Sequence, residues 1–261
     1  MRNLSAAQYY QLMGGQDDKS DSIEIPPTTM VELENVIVQR NSLIKRRGYV
    51  RRYTTAVNSG AVVQAVYQHE DIDQTRTLIY SVAGKLFKDT GTQTDISTGV
   101  TISNNDDTQV NFETYDGKLL GTDGVNAPFM YEELTDGKGI DLTTRDNSVP
   151  AVAKYIANFR EHIFFAHIKD QGDTQTFPYR VVHSEPGDPT RGYGITNNDL
   201  NRSQPITGLI PFHDYLIIGQ QYSMWYVSQE TYGSGQATPF TYKELSSNVG
   251  LAGQQAQVTT S

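Results

Sequence analysis

Four segments of the chain share one design, an apolar run, a tight polar turn and a second apolar run: "TLIYSVAGKLFK" (77–88), "VNFETYDGKLLG" (110–121), "KYIANFREHIFFA" (154–166) and "ITGLIPFHDYLIIG" (206–219). Two short apolar runs around a turn rich in Gly and Asp make an antiparallel hairpin, because the turn reverses the chain and each run offers one face for burial. The turn centres at Gly84, Gly117, Arg160 and His213 lie 33, 43 and 53 residues apart. That spacing is near the roughly 40 to 50 residues of a β-propeller blade. The runs "VVQAVYQ" (62–68) and "PFMYEE" (128–133) extend the pattern. A helix over 152–167 competes for the third unit, since Val152, Ile156, Phe159 and Ile163 recur at helical spacing. The density of Tyr, Ile and Phe, and the match to the other hairpins, favour strands.

The expected fold is therefore mainly β, a series of antiparallel propeller-like blades over residues 28–261. Residues 1–27 form an N-terminal arm. Ser5–Gln8 can cap a short helix over residues 5–13 that Gly14 and Gly15 end, and "GGQDDKSDSIEIPP" (14–27) is polar and closes on two prolines, as an extended linker would. Residues 134–150 and 169–204, with "GDTQTFPYR" and "SEPGDPTRGYG", read as loops at the rims of the sheets where partners bind.

Charge narrows the function. The chain carries 21 Lys and Arg against 30 Asp and Glu, a net charge of -9 and a pI near 5.0. Six of those cations, Arg40, Lys45, Arg46, Arg47, Arg51 and Arg52, fall in an acid-free segment around "SLIKRRGYVRRY" (42–53), so the other residues hold 15 cations against 30 acids. A protein that grips DNA spreads cations over a face, because affinity grows with each phosphate neutralised. One basic spot on an acidic chain is better suited to contact with protein, and the six residues are the candidate subunit interface. No apolar run approaches the roughly 18 to 20 residues that cross a membrane, and the first residues lack the apolar core of a signal peptide. With no cysteine there is neither a disulfide frame nor a thiolate site.

No catalytic, metal or cofactor residue is expected. His162 and His167 are five apart, so strand alternation sends them to opposite faces; His69, His183 and His213 stand apart, and His213–Asp214 fits a turn. "DIDQT" (71–75) and "NNDDT" (104–108) lack the spacing of a calcium loop, and "GSGQAT" (233–238) lacks that of a phosphate loop. Glu132 and Glu133 make a glycosidase pair only if they face another acid across a cleft. Trp225 is a packing residue rather than a sugar platform.

The ordered segments "GGQDDKSDSIEIPP", "MVELENVIV", "NSLIKRRGYVR", "YSVAGKLFK", "RVVHSEPGDP" and "ITGLIPFHDYLIIGQQYSMWYV" resemble the β-propeller tail proteins of tailed bacteriophages. These include the nozzle or tail tubular proteins and the packaged-DNA stabilisation proteins. The similarity covers most of the chain from Gly14 to Val227 and rests on apolar positions, Gly, Pro, Asn35 and the Lys45–Tyr49 segment. It implies a structural virion protein, made in the host cytoplasm and placed in the tail. There it forms a homo-oligomeric ring, a hexamer, around the DNA exit channel, beside the portal or adaptor and other tail proteins. Genomic DNA would pass without sequence-specific binding, and no membrane or cofactor is involved. In such proteins "NVGLAGQQAQVTTS" opens a further blade, so the resemblance implies an incomplete propeller. The alternative from the same fold is a carbohydrate-binding or glycan-degrading propeller.

Overall fold

The structure is a computed structural model. It describes residues 53, 56–134, 137–193, 198–229 and 240–253, and the backbone of four short strands before them. The chain divides into two compact units between Thr55 and Ala56. In the first, β1 (Gly15–Gln16) pairs in parallel with β2 (Thr29–Met30), and β3 (Val36–Gln39) pairs antiparallel with β4 (Ser42–Lys45). The expected helix over 5–13 and the rest of the arm lie outside the described residues.

The second unit is four antiparallel four-stranded sheets, each a meander in chain order. The first sheet holds β5 (Val63–Glu70), β6 (Arg76–Val82), β7 (Lys85–Asp89) and β8 (Gln93–Asp95). The second holds β9 (Asn111–Tyr115), β10 (Lys118–Thr122), β11 (Phe129–Tyr131) and β12 (Ile140–Asp141). The third holds β13 (Val152–Phe159), β14 (His162–Lys169), β15 (Phe177–His183) and β16 (Asn198–Asp199). The fourth holds β17 (Ile206–Phe212), β18 (Tyr215–Gln220), β19 (Met224–Gln229) and β20 (Phe240–Ser246). First strands neighbour one another in chain order, β5 with β9, β9 with β13, and β13 with β17.

The third unit is a pair of strands, as its aromatic density implied. Its turn, like two others, is a two-residue reversal: Ala83–Gly84, Asp116–Gly117 and Arg160–Glu161 all have φ between 45° and 78°. Positive φ at both positions matches the right-handed twist of the flanking strands. One alignment in the sequence reading is corrected. "TLIYSVAGKLFK" is the second hairpin of its sheet, β6–β7, whereas the other three segments are first hairpins. The equivalent first hairpin is β5–β6, turning around Asp73, which stands 44 residues before Gly117. A second correction concerns 169–204, which contains β15 and β16, and 134–150, which contains β12. Pro178 and the flanking Gly and Asp disguised β15; the proline is accommodated where the β14–β15 register shifts, between the pairs Ala166↔Val181 and Ile168↔Phe177.

Alternation along the strands builds three cores. Between the first and second sheets pack Ile79, Leu86, Leu119, Phe129 and Tyr131. Between the second and third pack Leu120, Met130, Ile156, Ile163, Phe165 and Val182. Between the third and fourth pack Tyr155, Ala157, Phe164, Ala166, Val181, Leu216 and Ile218. Neighbours such as Leu119 and Leu120, Phe164 and Phe165, or Val181 and Val182 thus serve opposite cores, which is why these strands are apolar at successive positions. At His167 the third sheet carries a bulge with φ 56°. There β14 takes two steps against four on β15, and the left-handed backbone at His167 breaks the alternation, so Ile168 joins Phe165 in the second core instead of Ala166 in the third.

Candidate interaction surface at the turn end of the first strands

The first strands end together at the turns that lead into the second strands, and the side chains there are polar. On β9 the alternation is explicit. Phe112 packs against Tyr67 of β5, with ring centroids 5.8 Å apart, and Thr114 takes the Tyr67 hydroxyl at 3.0 Å and His69 Nδ1 at 3.0 Å. Asn111, Glu113 and Tyr115 face the other way: Asn111 Nδ2 donates to Lys154 O at 2.8 Å, and the Tyr115 hydroxyl donates to Glu161 O at 3.1 Å. The Glu113 carboxylate accepts from the N–H groups of Thr114, at 3.1 Å, and Asn158, at 3.3 Å. Asn158 Nδ2 returns a hydrogen bond to Thr114 O at 3.2 Å.

Enclosure changes the proton affinities of these groups. Burial raises Glu113 to about 7, against the two N–H bonds that favour its charged form. Burial also lowers His69, with Asp71 and Gly117 opposing, and raises Tyr67, with Glu113 adding to the shift. The network therefore holds a carboxyl that is half protonated near neutrality beside a neutral imidazole.

Above it opens a cavity of about 480 Å³ lined by Tyr115, Asp116, Asn158, Glu161 and Gly187. Beside it Gly117 meets the first turn: φ is 71°, and a Cβ there would stand 2.7 Å from Ile72 N, so the first two turns touch at a position that only glycine fills. Arg160 crosses to Asp214 at 2.6 Å, joining the third turn to the fourth. Asp71, Asp73, Asp116 and Glu161 leave the turn end with an excess of negative charge. Such a surface disfavours phosphate and favours cationic side chains.

Of the sequence-derived interface residues, Arg40, Arg46, Arg47, Arg51 and Arg52 lie outside the described residues, and Lys45 is described only as the last backbone position of β4. The structure does place the histidines. His162 and His183 come together, ring centroids 5.0 Å apart, and the Nδ1 of each donates to Ser184 O, at 2.6 and 3.0 Å. A shared carbonyl makes both Nδ1–H tautomers. Burial first, and His162 beside it, push His183 down to about 4. Alternation alone puts His167 opposite His162, yet its ring meets Tyr155 at 6.3 Å, on the side of the fourth sheet that His162 also faces through Phe240. The positive φ at His167 decides the side. Among the described residues no three His, Asp or Glu are grouped to hold a metal.

His213 stacks edgewise on Phe212 while Asp214 turns to Arg160. Trp225 packs on the third core, and its Nε1 donates to Gln220 Oε1 at 2.9 Å. The "DIDQT" and "NNDDT" segments close on themselves, Thr75 N–H on Asp73 and Asp107 N–H on Asn105. Sequence reasoning missed the Arg180 node, in which the guanidinium binds Asp199 at 2.6 Å and Asp170 at 2.7 Å and covers the Phe177 ring at 3.9 Å. Its signal lay in a segment read as loop. No protein-family model and no curated protein matches the chain.

Proposed function

We propose that the chain is a structural virion protein, a subunit of a phage tail nozzle or hub ring around the DNA exit channel that acts in closure and in DNA retention and ejection. The observation that carries this reading is the set of four antiparallel four-stranded sheets with first strands side by side, which is compatible with an incomplete β-propeller. The resemblance of the ordered segments to phage tail propellers supplies the biological setting. The acidic turn end supports it as well: a subunit beside moving DNA works best when it does not hold phosphates, since each neutralised phosphate raises the barrier to sliding. In this reading the cations of residues 40–52 serve contacts between copies or with the portal, adaptor and other tail proteins, and one heterologous contact repeated around an axis closes a ring of six. Mass spectrometry and cryo-electron microscopy of purified particles test it. The chain is expected in the tail at ring stoichiometry, and its absence from infectious particles overturns the assignment.

Glu113 favours a second reading, a glycan-acting protein, because an acid half protonated near neutrality suits a general acid. Release of sugar from host polysaccharide by the wild type, and its loss in Glu113→Gln, would put this reading in place of the first.

A further inference from the structure

Phe240, the first residue of β20, sits in a cage of four rings from the third sheet. Its ring centroid lies 6.1 Å from Phe159 of β13, 4.9 Å from His162 and 5.1 Å from Phe164 of β14, and 4.8 Å from His183 of β15. Register builds the cage: Phe159 pairs with His162 and Phe164 with His183, and Phe159 and Phe164 belong to the core that the third and fourth sheets share. Within its own sheet β20 pairs with β19 alone, from Gln229↔Phe240 to Met224↔Ser246. The ring cage, with Tyr242 packed on the same core two residues later, therefore ties this outer strand to the neighbouring sheet.

That tie suits two uncharged histidines. His162 is buried, its ring centroid stands 5.0 Å from that of His183, and the Nδ1–H of each already goes to Ser184 O. An added proton must then go to Nε2, and each imidazolium would stand among phenyl rings beside a second group of the same kind. The charged groups on the surrounding elements are engaged or placed elsewhere. Arg160 binds Asp214, Glu185 binds Arg191, Asp199 of β16 binds Arg180, Glu161 lines the cavity beside Tyr115, and Lys243 and Glu244 of β20 are exposed. Burial first, with His162 adding, lowers His183 in the same sense.

We propose that His162, His183 and Phe240 form an acid-sensitive latch: while both imidazoles are neutral the cage holds Phe240, and protonation expels it and loosens the start of β20. The inference rests on packing between the third and fourth sheets and not on the tail assignment, so absence from virions leaves it standing.

An open cage returns His183 to its ordinary proton affinity, so the closed form loses ground as pH falls from 6.5 toward 4. With about 4 in the cage and 6.5 outside it, the ratio of open to closed forms rises about thirtyfold between pH 8 and pH 5. Hydrogen exchange of the full chain at the two pH values, corrected for intrinsic rates and repeated in dilute urea, reads this at the amides of residues 240–242. Their protection is expected to fall about thirtyfold at pH 5, through an opening that dilute urea does not accelerate, while the amides of β14 remain the better protected. His183→Gln should cut the pH response to less than about fivefold. Phe240→Leu, which keeps an apolar side chain on β20 but removes its ring, should lower protection of 240–242 already at pH 8 and leave a similarly small response. The proposal is overturned by equal protection at both pH values, by a response that survives in the variants, or by β20 exchanging only together with β14 in an opening that urea accelerates.

Discussion

Replacing Glu113 with Gln should change how stability depends on pH, in a direction the structure fixes. Folding raises this carboxyl from 4.5 to about 7 because β9 and β13 enclose it. A group whose folded value lies above its unfolded value binds more protons when folded, so its contribution to stability is intact below the unfolded value and is lost as pH rises through the folded value. The window is therefore pH 4.5 to 7. Across it the wild type loses at most about 3 kcal/mol, from 1.36 kcal/mol per unit. Gln cannot ionise and loses nothing, but its Nε2 faces one of the two N–H groups that Glu113 accepts, at a cost of about 1 kcal/mol.

Other groups titrate in the same range with the opposite sign. His183, depressed to about 4, loses stability as pH falls from its ordinary value toward that figure, and His69 and His167 are depressed by burial too. Absolute curves mix these effects, whereas the difference between wild type and Glu113→Gln isolates one carboxyl. Urea unfolding of both proteins from pH 4.5 to 8.5 is the assay. The wild type is expected to be the more stable by about 1 kcal/mol at the acid end and the less stable by about 2 kcal/mol at the alkaline end. A difference that stays flat across the range refutes the reasoning, because it means that Glu113 is solvated in the folded state.

Three further outcomes follow from the same geometry. His167→Gly should alter stability by no more than about 1 kcal/mol, relief of the left-handed backbone balancing loss of the Tyr155 contact, read by urea unfolding. Arg180→Ala should destabilise by about 2 to 4 kcal/mol and raise the titration of Asp199, now held below the ordinary carboxylate range chiefly by Arg180 with Arg202 adding, which nuclear magnetic resonance of the carboxyl detects. Reversing the charge of Arg46 and Arg47 should leave circular dichroism unchanged and abolish ring assembly; loss of duplex DNA binding with a log–log salt slope of about -4 in the parent would instead make the cluster a phosphate site.

What could be read from the sequence was whatever repeats locally. "DG" at 116–117 and "RE" at 160–161 announce reversals between apolar runs, and those runs became β9–β10 and β13–β14. The first unit was misaligned because the β5–β6 turn, Asp71–Thr75, is longer and polar, while the β6–β7 turn at Ala83–Gly84 imitates the others. β15 was hidden for a different reason. Its signal, Val181–Val182 between two cores, follows "TFPYR", and Pro178 is excluded from a strand by any local rule that ignores the register shift in which it lies. The candidate surface was less legible still. Glu113, Asn158, His69 and Thr114 come from three strands, and nothing in single-strand periodicity reveals that β9 lies between β5 and β13.

Position in the stack is nonetheless written into the strands. β14, in the third sheet, has covers on both faces, and five consecutive residues, His162 to Ala166, are buried. β5, in the first sheet, alternates instead: Ala65, Tyr67 and His69 are turned inward while Val66, Gln68 and Glu70 are exposed. An internal sheet needs apolar side chains at successive positions, and a terminal sheet needs them at every second one. By that criterion "ITGLIPF" and "YLIIGQ" belong to an internal sheet, because Ile210, Phe212, Tyr215 and Ile217 are as apolar as the buried residues between them. A terminal sheet with this composition would leave aromatic side chains in water and invite edge and face association, which natural sheets avoid with charge. Only Lys243 of β20, opposite Tyr226, brings a charge to that side of the pairing, and it stands at the outer strand, far in register from Phe212. The chemistry of the face thus calls for a covering layer at its inner strands, where Leu251 already begins one.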